Sequence, residues 1–150
     1  MKKTTKELEG VLLKAHAYNI DEVIGNEKNE IIQRDFSTYF KNLLVSKKIS
    51  QQKLFIDADL SEKYGYKLLS GEKHTKQRDT ILRLCYAGHF NVEETNRALM
   101  LYGMSPFYVR NRRDALLIVA FNDRVGDVLD LNQYLIKNGE KPLKNSGTSE

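Results

Sequence analysis

The chain has 150 residues, 41% of them hydrophobic and 29% charged, which suits one compact unit with its own core and excludes two large domains. No run approaches the roughly 20 apolar residues of a membrane helix, and the basic start Met1-Lys2-Lys3 leads only into the short, mixed segment Gly10-Val11-Leu12-Leu13-Lys14; the expectation is a soluble, cytoplasmic protein with no membrane partner. The formal charge of +4 is concentrated: residues 36–80 hold 9 Lys/Arg against 5 Asp/Glu, whereas 1–35 hold 6 against 7 and 81–150 hold 9 against 8, so a polyanion site is expected in the middle third.

Almost every periodic segment reads as helix, and the expected fold class is all-α. An amphipathic helix near Thr5–Ala17, a short second one from Asp21 and the polar linker Gly25–Glu30 form an N-terminal helical extension, 1–35. Phe36, Tyr39, Phe40, Leu43 and Leu44 then follow the i, i+3, i+4, i+7, i+8 stripe of a core-facing helix closed by Lys47-Lys48, the start of a domain over 36–90. A further helix is expected over Thr75–Tyr86, with Ile81, Leu84 and Cys85 inward and Gly88 as its stop. Asn91 with Glu94 three residues on makes a capping box before a helix over Thr95–Tyr102, ended by Gly103. The run Ala115–Phe121 is apolar on all sides and fits a central strand or a buried helix; helix is chosen because no partner strands exist. Asp127–Asn138 forms the last helix, with Leu131 and Leu135 inward, stopped by Gly139 and Pro142. Residues 91–144 are expected to pack on the 36–90 domain, and 145–150 to be a disordered tail.

Between Ser50 and Gly71 the chain reads SQQKLFIDADLSEKYGYKLLSG. Ser50 caps a short helix with Leu54 and Ala58 inward, Asp59-Leu60 makes a tight turn, and Ser61 caps a second helix. Small Ala58 lets the two helices approach, and Leu54, Leu60 and Leu68 fill the space between them. Such a pair leaves the first turn of the second helix, Ser61 to Tyr64, projecting, where it can enter a major groove about 12 Å wide. Gln51, Lys53, Lys63, Lys67, Lys73 and Lys76 would surround it with donors suited to phosphates.

The stretch resembles the helix-turn-helix of the phage-repressor-like (XRE-type) family of bacterial regulators, through Ser50-Gln51, Leu54, Ala58, Asp59-Leu60, Ser61 and Gly71, with no gap. The resemblance to a Gram-positive subgroup extends to Tyr64-Gly65-Tyr66, Gly71-Glu72-Lys73, Gln77-Arg78-Asp79 and Asn111-Arg112-Arg113-Asp114. It implies a repressor-like helix-turn-helix bundle with additional N- and C-terminal helices, and sequence-dependent binding of double-stranded DNA by a transcriptional regulator. It also implies that Glu62, Lys63, Tyr64 and Lys67 read bases while Ser50 and Gln51 contact phosphate. Three residues depart from the family pattern: Phe55 stands for a usual alanine, Asp59 for the turn glycine and Gly65 for an aliphatic residue. Aspartate tolerates the left-handed conformation the turn needs. Gly65 costs roughly 1 kcal/mol of helix propensity and leaves a gap for Tyr64 or Tyr66 to fill; if Tyr66 fills it, the groove face is left to Glu62, Lys63 and Lys67. Repressor-like folds also serve as interaction modules, so the alternative is a protein that binds another regulator or an acidic partner.

Arg110, Arg112 and Arg113 either cap and salt-bridge the helix that follows, with Asp114 as an internal partner, or touch flanking phosphates or an acidic partner. His16, His74 and His89 are too scattered for a metal site, and the single Cys85 reads as a buried thiol, so neither metal nor cofactor is expected. Asp57 and Asp59 lack an apolar pocket and a companion base, and no nucleophile–His pairing or Gly-rich phosphate loop occurs, so no catalytic residue and no enzyme is expected; a hydrolase is the weakest reading. The regions before Phe36 and after Phe90 are expected to pack on the helix pair or support a homodimer.

Overall fold

The stripe beginning at Phe36 is helical in the computed structural model, which describes residues 35–145: seven helices and no strand occur among the described residues. The expectations for 1–34 and for 146–150 lie outside that range. Helix α1, described over 35–46, buries Phe36, Phe40 and Leu44, leaves Tyr39 and Leu43 half-buried, and closes at Lys48 with a left-handed φ of 60°. Helix α2 (Gln51–Ala58) is capped by Ser50, whose Oγ accepts the Lys53 N–H, and ends at Asp59 in the left-handed region, as its short polar side chain allows. Helix α3 (Glu62–Ser70) is capped in the same way by Ser61 and stopped by Gly71 at φ 84°.

Helix α4 (Arg78–Ala87) begins three residues later than its sequence pattern suggests. The reason is tertiary: Thr75 is buried, gives its N–H to the Tyr102 hydroxyl at 2.9 Å and takes the Gln77 N–H on its own Oγ1 at 3.0 Å, which holds the segment extended. The three helices after it start at their caps, Asn91, Asn111 and Asp127. Asn91 and Glu94 form the capping box of α5 (Val92–Leu101), which therefore starts ahead of Thr95. Helix α6 (Arg112–Asp123) contains the apolar run and ends at left-handed Arg124, and α7 (Val128–Lys137) starts at a second capping box made by Asp127 and Asp130. Cys85 is fully buried, and burial pushes its thiol pKa far up. Rings join the layers: Phe40 packs on Phe90 and Phe36 on Tyr102, each at 4.6 Å between centroids.

The last four helices are two copies of one hairpin. Arg78-Asp79 and Tyr86 of α4 recur 35 residues on as Arg113-Asp114 and Phe121; Asn96, Leu99, Gly103 and Pro106 recur 36 residues on as Asn132, Leu135, Gly139 and Pro142. The hydrogen bonds recur with them. Asn96 Oδ1 accepts the Phe107 N–H at 2.8 Å, and Asn132 Oδ1 accepts the Leu143 N–H at 2.7 Å. Arg78 donates to the carbonyls of Ser105 and Pro106, and Arg113 to those of Lys141 and Pro142. Across the pair, Arg78 forks onto Asp114 at 2.8 and 2.9 Å while Arg113 forks onto Asp79 at 2.9 and 3.0 Å. Reciprocal contacts of this kind are those of a two-fold axis. Counterparts also meet at the other end, where Tyr86 packs edge-on against Phe121 at 4.8 Å and Arg124 approaches His89 at 3.4 Å.

Candidate nucleic-acid interface

The helix pair α2–α3 takes its shape from Leu54, Phe55, Ala58, Leu60, Leu68 and Leu69, all buried. At Gly65 the α2 side chain Phe55 comes close to the α3 backbone: a β-carbon there would lie within 2.6 Å of the Phe55 ring. Phe55 and Gly65 thus fit each other: the ring takes the space that a side chain at position 65 would need. Neither tyrosine fills the gap. Tyr66 instead sets its ring edge-on against Phe55 at 5.0 Å and remains 42% exposed.

This placement corrects one expected base reader. Tyr64 is only 6% exposed, because position 64 belongs to the same inward stripe as Leu68, so it serves the core rather than the groove face. Glu62 and Lys63 are exposed as expected, Lys67 is half-buried, and Tyr66 joins them on the outward side. Tyr66 is the functional candidate that sequence reasoning left aside; its spacing from Glu62 and Lys63 is that of one helix face.

Ser61, Lys63, Tyr64, Lys67 and Lys73 line one shallow depression at the start of α3. Ser50, Gln51, Lys53 and Lys76 are not among its lining residues. Ser50 and Gln51 stand instead at the start of α2, where the Ser50 Oγ is engaged at 3.1 Å by the Lys53 N–H, and Lys53 pairs with Asp57 at 3.1 Å across one helical turn. That ion pair is on the surface, where such pairs contribute about 0–1 kcal/mol, so it does not prevent Lys53 from reaching a phosphate. The Ser61 Oγ takes the Tyr64 N–H at 3.2 Å. The N-terminal end of α3 carries the partial positive charge of its unpaired N–H groups, which adds to the lysines beside it.

A buried arginine ties this pair to the C-terminal unit. Arg83, 3% exposed, donates Nη1 to the Ala58 carbonyl at 3.2 Å, Nη2 to Leu143 at 2.7 Å and Nε to Lys144 at 3.0 Å. Burial lowers its pKa, while the Asp59 and Asp79 carboxylates act the other way. Asn145 adds a bond to Asp59 at 3.2 Å, so the α2–α3 turn and the end of the chain are held by neighbouring contacts.

The arginines near 110 are largely structural. Arg113 holds Asp79, Arg112 holds Glu140 at 3.0 Å and the Asn138 carbonyl at 2.7 Å, and Arg110 is exposed. Asp114 pairs with Arg78, not with the arginines beside it, because its position on the pseudo-two-fold faces the other hairpin. Among the described residues no group of three or more His, Cys, Asp or Glu gathers as a metal donor set, and no helix is long and apolar enough to cross a membrane. No family model, curated protein or solved structure compared with the chain matches it.

Proposed function

We propose that the protein binds double-stranded DNA through α3 as a bacterial transcriptional regulator of phage-repressor type, without enzymatic activity. The observation that carries this reading is the coincidence of a serine-capped, outward first turn with the basic depression formed by Lys63, Lys67 and Lys73. In this reading Glu62, Lys63 and Tyr66 face base edges. Lys67, Lys73 and Lys76, with the start of α2 at Ser50, Gln51 and Lys53, meet phosphates on either side. Regulators of this kind gain affinity from two half-sites, so pairing of two copies belongs to the same reading. Fluorescence anisotropy of labelled duplex DNA titrated with the full chain at rising salt tests it, because phosphate contacts make affinity fall steeply with ionic strength. The second reading is a module that binds an acidic protein at the same basic depression; the carboxylate of Glu62 amid the lysines suits base edges better than a uniformly acidic surface.

A further inference from the structure

The pseudo-two-fold shows what one hairpin has and the other lacks. On α4, Thr80, Arg83, Leu84 and Ala87 lie at most 6% exposed, and the bond from Arg83 to the Ala58 carbonyl marks this as the face on which α2 sits. Their counterparts 35 residues on are Ala115, Ile118, Val119 and Asn122 of α6. Val119 is 47% exposed, Asn122 is exposed, and Ala115, Leu116 and Ile118 are half-buried. The most continuously apolar segment of the sequence therefore presents a stripe that no other described helix covers fully: Arg112, Ala115, Leu116, Val119, Asn122 and Asp123, at the i, i+3, i+4, i+7, i+10, i+11 spacing of one helix face.

We propose that this stripe of α6 is the surface on which a second copy of the chain docks, the two α6 helices lying antiparallel about a true two-fold axis. The charge pattern selects the occupant and the direction. Arg112 opens the stripe and Asp123 closes it. Arg112 Nη1 is held by Glu140 and the Asn138 carbonyl, but its side chain stays 62% exposed, so in an antiparallel pair the guanidinium of each copy can also meet Asp123 of the other, while Leu116 packs against Val119 at the centre. A parallel pair would place arginine on arginine and aspartate on aspartate. Small Ala115 beside the centre permits close approach of the helices. A 12-residue helix is about 18 Å long, so the contact is small and the dimer is weak, with a dissociation constant on the order of 1–100 µM. The proposal supplies the surface for the pairing that belongs to the DNA-binding reading, but its test needs no DNA, so a failure to dimerise is distinguishable from a failure of α3 to bind.

Sedimentation equilibrium of the full chain, without DNA, tests it. The expected mass rises from 17.3 kDa towards twice that value over roughly micromolar to several hundred micromolar protein. Val119→Lys, at a position open to solvent, weakens association at least about tenfold with an unchanged melting temperature. Asp123→Arg alone also weakens it, and adding Arg112→Asp restores it. A mass fixed at that of one chain, as when the stripe is covered from within the same chain, overturns the proposal. So does a dimer that Val119→Lys leaves intact.

Discussion

The ring of Phe55 occupies the place that any side chain at Gly65 would take. Gly65→Ala should therefore destabilise the protein by about 1–3 kcal/mol, although alanine is the better helix former by about 1 kcal/mol. Phe55→Ala alone should cost about 3–5 kcal/mol through the cavity it leaves. The double variant should be more stable than the sum of the two losses predicts, a coupling that urea denaturation of the four proteins measures. Additive losses would mean that the two positions do not share one space.

Arg78 and Asp114, with their pseudo-symmetric equivalents Arg113 and Asp79, hold the two C-terminal hairpins together. Both pairs are forked and half-sheltered, and each carboxylate also accepts a backbone N–H, Asp114 from Tyr108 and Asp79 from Lys144. Asp114→Ala and Asp79→Ala should each cost about 2–4 kcal/mol in chemical denaturation, far above the surface-pair range. Arg78→Ala and Asp114→Ala combined should cost less than their sum. Losses below about 0.5 kcal/mol would show that the exchange of ion pairs does not hold the hairpins together.

Much of this architecture is legible in the sequence because helix ends are local chemistry. Ser50, Ser61, Asn91 and Asp127 each cap the helix that follows, and Asp59 and Gly71 supply the left-handed residues that end α2 and α3. What is not legible is set by contacts distant in sequence. The delayed start of α4 depends on the Tyr102 hydroxyl, 27 residues from Thr75. The inward turn of Tyr64 depends on the packing of α3, and its exchange with Tyr66 is invisible to composition. The repeated hairpin could have been found from Arg-Asp at 78 and 113 with the Asn, Gly and Pro set that follows each. The interval shifts from 35 to 36 residues between its two helices, which hides the repeat from a fixed-period comparison.

Arg83 donates to three carbonyls, one at the end of α2 and two in the C-terminal segment. Arg83→Met should cost about 3 kcal/mol by leaving buried carbonyls unpaired, and Arg83→Lys should recover little, because an ammonium cannot match the fork. Thermal and urea unfolding check this, and full recovery with lysine would contradict it.

His89 gives a pH dependence of definite sign. Partial burial and then the charge of Arg124 hold its pKa below the usual 6.5. The unfolded chain therefore takes up a proton that the folded chain resists, so stability complete above about pH 6.5 is lost as pH falls through the lower folded value. His89→Asn keeps the left-handed backbone, φ 60° in the native chain, but cannot titrate. Its melting temperature should fall less than that of the native protein between about pH 7.5 and pH 5; parallel curves would exclude the effect.

The most direct test of DNA binding is the anisotropy titration repeated at about 50 and 200 mM salt with Lys63→Glu, at an exposed position, and with Tyr66→Ala, which also removes the edge contact on Phe55 and is used once its melting curve shows a folded protein. DNA upstream of the protein's own gene belongs in the duplex pool. If α3 reads DNA, affinity drops at least about tenfold with the added salt and collapses with Lys63→Glu, while Tyr66→Ala reduces the preference among duplexes. Folded protein that binds no duplex at the lower salt, or binds equally with Lys63→Glu, would contradict the account.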